Sequence, residues 1–328
     1  MYTSACPGAG VGTGNSAVIR PGVDASLGRD GDGTVRGILV AADGTPLHFE
    51  IRGSGLPVYI CHGGPEATYS YLADALDPLA REFTLVYHDY RGSGRSGRAA
   101  PESYHFPQLA DDLDNLRTHL GHDQLVLLAH SLGGFVALHY ALRHGRRLRG
   151  LILVATTPTG SWRRLWWSAV RSLGTRRIFR LSIAAAGYVL GWAWRVGDPG
   201  NRRARHQMLA LLQEGREDSR ERVLAAERSA AVASDNAPYL EAEAYRTDLT
   251  SDLGRICCPV LAICGSRDAV FYAALGLYRR HLPSAVVMIL PDVGHHPALE
   301  EPEAFLEAVT GFLHGVWHAA GEAGYRSW

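Results

Sequence analysis

Six short apolar runs decide what this chain can fold into: PVYIC at 57–61, FTLVYHD at 83–89, LVLLAH at 125–130, LRGLILVAT at 148–156, PVLAICG at 259–265 and AVVMILP at 285–291. Each is nearly continuous where a half-buried strand would alternate. Amphipathic stretches such as FPQLADDLDNLRTHLG at 106–121 separate them. Continuous apolar strands are buried on both faces, and helices between them supply the cover, so the pattern predicts an α/β class with a mostly parallel central sheet flanked by helices. Upstream, TVRGILVAADGTPLHFEIRG at 34–53 alternates on either side of Asp43-Gly44, which predicts two antiparallel strands joined by a turn there.

Between ATTPTG and CCPVLAICG the alternation stops for a long stretch that has helical patterning, no convincing strand and five of the seven tryptophans. A structureless loop of that length is rare in a compact domain, so residues 158–248 are read as a helical cap, or lid, inserted before the next strand. The core is then 34–157 together with 249–319. Residues 1–33, rich in Gly, Ala and Ser without hydrophobic period, read as a flexible tail, and 320–328 as a second one.

Acidic and basic residues balance at 33 each, and no helix, finger or ribbon motif that reads DNA is present, so no nucleic-acid partner is expected. Every basic residue is arginine, which identifies no ligand. The five cysteines, Cys6, Cys61, Cys257, Cys258 and Cys264, show neither paired CxxC nor metal-ligand spacing. Reduced thiols are expected at 257 and 258, with a vicinal disulfide as the alternative. The longest uncharged apolar run, LSIAAAGYVLGWAW at 181–194, would extend only about 21 Å as a helix, too short for a membrane core of about 30 Å. The N-terminus lacks a basic start and an apolar stretch, so no secretory signal is expected and the cytoplasm is the expected location.

Chemistry enters at Ser131, which directly follows LVLLAH and precedes LGGFVALHYALRHG. Strand, sharp turn and helix is the order of a nucleophile elbow, G-x-S-x-G, written here as Ala129-His130-Ser131-Leu132-Gly133. An alanine methyl in place of the first glycine is the smallest addition possible. A serine hydroxyl needs a base, and the base an orienting acid. Asp268 and His295 each follow an apolar strand, and the chain order Ser, Asp, His suits this topology. Asp292, three residues before His295, competes with Asp268 but sits as a turn residue after Pro291. Upstream, VYICHGGPEA ends a strand in a Gly-rich turn, so the N–H groups of Gly64 and Leu132 are the expected oxyanion donors.

HGGP at 62–65, HDYRGSGRS at 88–96, AHSLGG at 129–134, CGSRD at 264–268 and VGHHPALEEPEAF at 293–305 occur in the order of the α/β-hydrolases, and the chain resembles that family from 35 to 319 outside the lid. HGGP and the D-x-R-G-x-G-x-S turn are similar to the proline iminopeptidase branch. The AHSLGG elbow is closer to ester and carbon–carbon bond hydrolases, and Ser131 argues against the haloalkane dehalogenase and epoxide hydrolase relatives, whose nucleophile is aspartate. The resemblance implies His295, rather than its neighbour His296, as the base, with His296 left to shape the pocket.

His62, His130, Asp89 and Arg91 are expected to hold turns in place. Trp162, Trp166, Trp167, Trp192 and Trp194 either line an apolar substrate pocket or pack the lid on the core. Glu214, Glu241 and Glu243 either capture a substrate ammonium, as cap carboxylates do in iminopeptidases, or sit on solvated helix faces. The expected activity is a cofactor-free and metal-free serine hydrolase acting on an ester, thioester or amide of a fairly apolar small molecule. The alternatives are an aminopeptidase, a biosynthetic acyltransferase, cyclase or eliminating enzyme, and a non-catalytic ligand-binding protein. Oligomeric state is not encoded in any of these features.

Overall fold

The structure is a computed structural model that describes residues 28–31, 33–64, 66–161, 163–165, 167, 215 and 217–318. Strands β1 (Gly28–Arg29), β2 (Val35–Val40), β3 (Pro46–Arg52), β4 (Leu56–Cys61), β5 (Phe83–His88), β6 (Leu125–His130), β7 (Leu148–Val154), β8 (Val260–Gly265) and β9 (Ala285–Leu290) make one nine-stranded sheet in the order β1-β2-β3-β5-β4-β6-β7-β8-β9. The pairs from β5 to β9 are parallel, and β1, β2 and β3 add an antiparallel edge. Among the described residues the α-helices are α1 (Ser70–Leu76), α2 (Phe106–His119), α3 (Gly133–His144), α4 (Arg220–Ala230), α5 (Ala237–Arg246), α6 (Ala269–His281), α7 (Pro297–Glu300) and α8 (Pro302–His318).

The central strands are continuous in sequence because each face of the sheet has its own apolar layer. Leu125, Leu127 and Ala129 of β6 point into a core shared with α2, α3 and α6, while Val126 and Leu128 point into a second core shared with α1 and α8. Strand β8 divides likewise, with Val260, Ala262 and Cys264 on the first side and Leu261 and Ile263 on the second. Phe305, Val309 and Leu313 recur four apart on α8 and are all at most 1% exposed. Burial of each is worth about 1.5–3 kcal/mol. Strand β9 differs, because it is the sheet's edge and leaves Val286 59% exposed.

The β2–β3 hairpin closes through a three-residue loop at 42–44. The Ala41 N–H donates to Thr45 O and the Gly44 N–H to Ala41 O, each at 2.9 Å, with Gly44 at φ 83°. The Asp43-Gly44 pair is therefore the end of a longer turn, in which glycine takes the left-handed position. β1 falls inside the span read as a tail.

Residues 158–160 and 247–249 pair with each other through Gly160 N–H to Thr247 O and Leu249 N–H to Pro158 O, both 2.9 Å. The insertion between β7 and β8 is thus closed at its base, and its described part carries α4 and α5. Trp162, Trp166, Trp192, Trp194 and Glu214 lie outside the described residues. Cys61, Cys258 and Cys264 are free and buried, so no vicinal bridge joins 257 to 258. Cys258 is reduced, as expected. Among the described residues no helix is long and apolar enough to cross a membrane.

After β4 the chain steps back to β5 and then across β4 to β6. In open α/β sheets such a reversal opens a crevice at the carboxyl ends of the strands, and the loops that follow β4, β6, β8 and β9 all end there.

Candidate active site

The turn after β6 is strained. Ser131 has φ 53°, a region that serine enters at a cost and that persists only where its surroundings enforce it. Enforcement comes from both sides: the Ser131 N–H donates to Val154 O and the Gly134 N–H to Ser131 O, each at 3.0 Å. A Cβ on Gly133 would stand 2.3 Å from Cys61 O, and one on Gly134 would stand 2.6 Å from the Thr156 Cβ. Only glycine lets the start of α3 come this close to β4 and β7. Ala129, where the motif usually has glycine, is fully buried in register with Cys61 and Leu153, so its methyl fits without displacing the strand.

Asp268 is the N-cap of α6. One carboxylate oxygen accepts from the Phe271 N–H at 3.1 Å and the other lies 2.7 Å from His295 Nδ1. A carboxylate only accepts, so Nδ1 carries the ring proton and Nε2 is left as an acceptor. The Ser131 hydroxyl donates to that Nε2 at 2.9 Å. Asp268 is 0% and His295 6% exposed, and the Phe271 ring lies over His295 with centroids 4.8 Å apart. Ser131, His295 and Asp268, which are far apart in sequence, thus meet in one hydrogen-bonded chain.

Asp292 does not join them. It has φ 59° and pairs with exposed Arg267, whose Nε and Nη2 each donate to Oδ1 at 3.2 Å. His296 holds Glu227 of α4 instead, with its Nε2 3.0 Å from that carboxylate. Among the described residues the N–H groups of Gly64 (φ 60°) and Leu132, the N-cap of α3, donate to no hydrogen bond.

The remaining residues singled out from the sequence brace this turn system. Arg91 is fully buried and donates twice to Asp112, at 2.7 and 2.6 Å, and once to Asp43 at 2.6 Å. Asp89 accepts from the Arg95 N–H at 3.0 Å, and burial pushes its carboxyl up to about 6. His62 donates through Nδ1 to Gly63 O at 2.9 Å and stacks on Tyr90, and burial holds its ring down at about 4. His130 lies between Tyr71 and the His295 carbonyl, 2.6 and 2.8 Å from them. Trp167 is 55% exposed. Glu243 accepts from the Phe106 N–H at 2.7 Å, so that carboxylate caps α2. Among the described residues no cluster of three or more His, Cys, Asp or Glu side chains is arranged to hold a metal ion.

Two contributors were not found from the sequence. Tyr71 carries no motif signal. Glu300, 4% exposed, accepts from the Gly294 N–H at 2.7 Å and the His296 N–H at 2.9 Å, fixing the backbone on both sides of His295. Its signal was its spacing five residues after His295 in VGHHPALEEPEAF.

The model of the alpha/beta hydrolase fold family matches residues 57–302. RutD of Caulobacter sp. (strain K31), provisionally named a carbamate hydrolase, is 27% identical over 290 residues, covering 86% of this chain and 98% of the relative. A second RutD, from Rhizobium rhizogenes, is 33% identical over 111 residues, which span 33% of this chain and only 42% of that protein. The pimeloyl-[acyl-carrier protein] methyl ester esterase of Nitrosomonas europaea is 29% identical over 272 residues, 79% of this chain and 96% of the esterase. Among solved structures, the proline iminopeptidase-related protein of Thermus thermophilus superposes with TM-score 0.66 at 26% identity, over 86% of this chain and 98% of its own.

Proposed function

Because the chain belongs to the alpha/beta hydrolase fold family, we propose that it is a serine hydrolase that cleaves an ester, thioester or amide of a fairly apolar small molecule through an acyl-enzyme. The observation that carries this reading is the unbroken run from Ser131 Oγ to His295 Nε2 at 2.9 Å and from His295 Nδ1 to Asp268 at 2.7 Å, on a serine whose backbone is strained into position.

As Ser131 Oγ attacks the carbonyl carbon, its proton passes to His295 Nε2 and the carbonyl π electrons move onto oxygen. The imidazolium that forms is stabilised by the Asp268 carboxylate. The N–H groups of Gly64 and Leu132 receive the oxyanion, each such donor being worth about 10²–10³ in rate. Collapse of the intermediate expels the leaving group, which takes the proton from His295. Water then repeats the sequence on the acyl-enzyme, with His295 as base, and frees Ser131.

Residues 158–248 are assigned as a cap over this site. In support, α4 ends against the turn after HGGP: the Thr68 N–H donates to Ala230 O at 3.0 Å and the Val232 N–H to Glu66 O at 3.1 Å. Glu227 of the same helix reaches His296. His296 is assigned to the wall of an apolar acyl pocket. The likeness to an iminopeptidase-related structure and the HGGP turn favour a second reading, removal of an N-terminal residue from a peptide.

Turnover of p-nitrophenyl esters of increasing chain length and of proline p-nitroanilide, by the wild type and Ser131→Ala, separates the readings. Ester cleavage that Ser131→Ala abolishes supports the first, and the best chain length sizes the pocket. Anilide cleavage moves the protein to the peptidase reading. Ester cleavage that survives in Ser131→Ala contradicts both.

A further inference from the structure

The turn that carries Gly64 and the loop that carries His295 are joined by a buried chain of hydrogen bonds that the chemistry above does not use. The Gly63 N–H donates to Tyr71 Oη at 2.7 Å, Tyr71 Oη lies 2.6 Å from His130 Nδ1, and His130 Nε2 lies 2.8 Å from the His295 carbonyl oxygen. Each proton in this chain has one consistent place. The carbonyl can only accept, so Nε2 of His130 carries the hydrogen. The neutral ring then presents a bare Nδ1, which accepts from the Tyr71 hydroxyl, whose oxygen accepts from Gly63. Burial reinforces the assignment, because it holds the His130 ring well below the ordinary histidine range and the Tyr71 phenol above the ordinary tyrosine range. A charged His130 would also stand against the imidazolium that forms at His295, whose ring centroid is 4.8 Å away.

We propose that Tyr71 and His130 are positioning residues that act as one tie, fixing the oxyanion turn and the His295 loop relative to each other across Ser131. This rests on the reading of Ser131 and His295 as nucleophile and base. The tie fills the space between turn and elbow: a Cβ on Gly63 would lie 2.8 Å from the Ser131 Cβ, 2.9 Å from Tyr71 Oη and 3.0 Å from His130 Nδ1. At its far end the His295 carbonyl is held while Glu300 holds the N–H groups of Gly294 and His296, so the backbone around the base is fixed at three points. Donors aimed where charge develops act in the transition state more than in substrate binding, so loosening the tie lowers kcat and leaves KM largely alone.

The test is a double-mutant cycle on Tyr71→Phe and His130→Gln. It uses the p-nitrophenyl ester turned over best, with kcat expressed per active site titrated by a fluorophosphonate. Tyr71→Phe removes only the hydroxyl, and Gln at 130 keeps an N–H that can reach the His295 carbonyl while its one acceptor, Oε1, no longer stands at the Nδ1 position that faces Tyr71. The expected result is a fall in kcat of about 10- to 100-fold in each single variant with KM within about 3-fold, and a double variant no worse than the poorer single. If Tyr71→Phe does not fold, the same fall in His130→Gln carries the test. Wild-type kcat per titrated site, a change confined to KM, or effects that multiply in the double variant would overturn the tie while leaving the hydrolase reading intact. Failure of the wild type to label at Ser131 would overturn both.

Discussion

In the proposed mechanism Asp268 has two roles, and one substitution separates them. Its carboxylate orients His295 at 2.7 Å and caps α6 through the Phe271 N–H at 3.1 Å. In Asp268→Asn the amide oxygen can still cap the helix, and Asn caps as well as Asp does. The amide nitrogen, however, donates toward His295 Nδ1, so the ring must give up its Nδ1 proton and carry it on Nε2. That tautomer cannot take the proton of Ser131. In a serine-protease triad the same exchange costs about 10⁴ in kcat, which is about 5.5 kcal/mol of transition-state stabilisation. Stability should change little, by about 1 kcal/mol for the second amide hydrogen left unpaired. Asp268→Ala should match the kinetic loss and add an unfolding cost, about 1 kcal/mol for the lost cap and about 1–3 kcal/mol for the buried His295 N–H left without an acceptor. Ester kinetics per titrated site and urea unfolding of the three proteins give both numbers. A rate for Asp268→Asn within about tenfold of wild type, or equal stability losses in the two variants, would refute the double role.

Acid should destabilise the fold through its buried histidines. Burial holds His62 and His88 down at about 4 and about 3, whereas the unfolded chain protonates them near 6.5, so the unfolded state binds more protons between those values and stability falls as pH drops below 6.5. At pH 5 each term amounts to about 2 kcal/mol, and Asp89, held up at about 6 by burial, offsets about 1 kcal/mol by taking a proton in the folded state. His88→Leu should therefore flatten the stability curve between pH 7 and 5 by about 2 kcal/mol in urea titrations, and an unchanged slope would contradict this. Gly63→Ala, which sets a methyl 2.8 Å from the Ser131 Cβ, should lower ester kcat about 10²-fold in a folded protein, and a wild-type rate would show that the turn has slack. Glu300→Ala should cost about 1–3 kcal/mol for each of the two N–H groups it strands, read from urea midpoints, and a loss below about 1 kcal/mol in total would contradict its assigned role.

The fold was legible where sequence periodicity and burial coincide. Strands β6 and β8 are continuous apolar runs because both faces are covered. The hairpin was legible as well, but its loop length was not, since Asp43-Gly44 ends a three-residue turn as readily as it forms a two-residue one. The positions of Ser131, Asp268 and His295 were legible because each sits where a strand ends. His295 was separable from His296 through the family resemblance and Asp268 from Asp292 through turn chemistry, whereas the partners that occupy the two rejected residues, Arg267 for Asp292 and Glu227 for His296, lie far off in sequence and could not be read from it. Tyr71 and Glu300 were hidden for a different reason. Both act on backbone N–H groups, which leave no trace in residue type, so only the spacing of Glu300 after His295 hinted at either. Glu243 shows the converse, an acidic side chain that reads as substrate-binding or solvated but accepts from the Phe106 N–H and caps α2.

The central claim is that Ser131 is a nucleophile activated by His295, and the most direct measurement is the rate and location of its reaction with a fluorophosphonate. Peptide mass spectrometry of the labelled protein should place the adduct on Ser131. The labelling rate should fall at least about 10³-fold in His295→Ala, while His296→Ala labels within a few-fold of wild type. An adduct on another residue, or a rate that survives the loss of His295, would contradict the account.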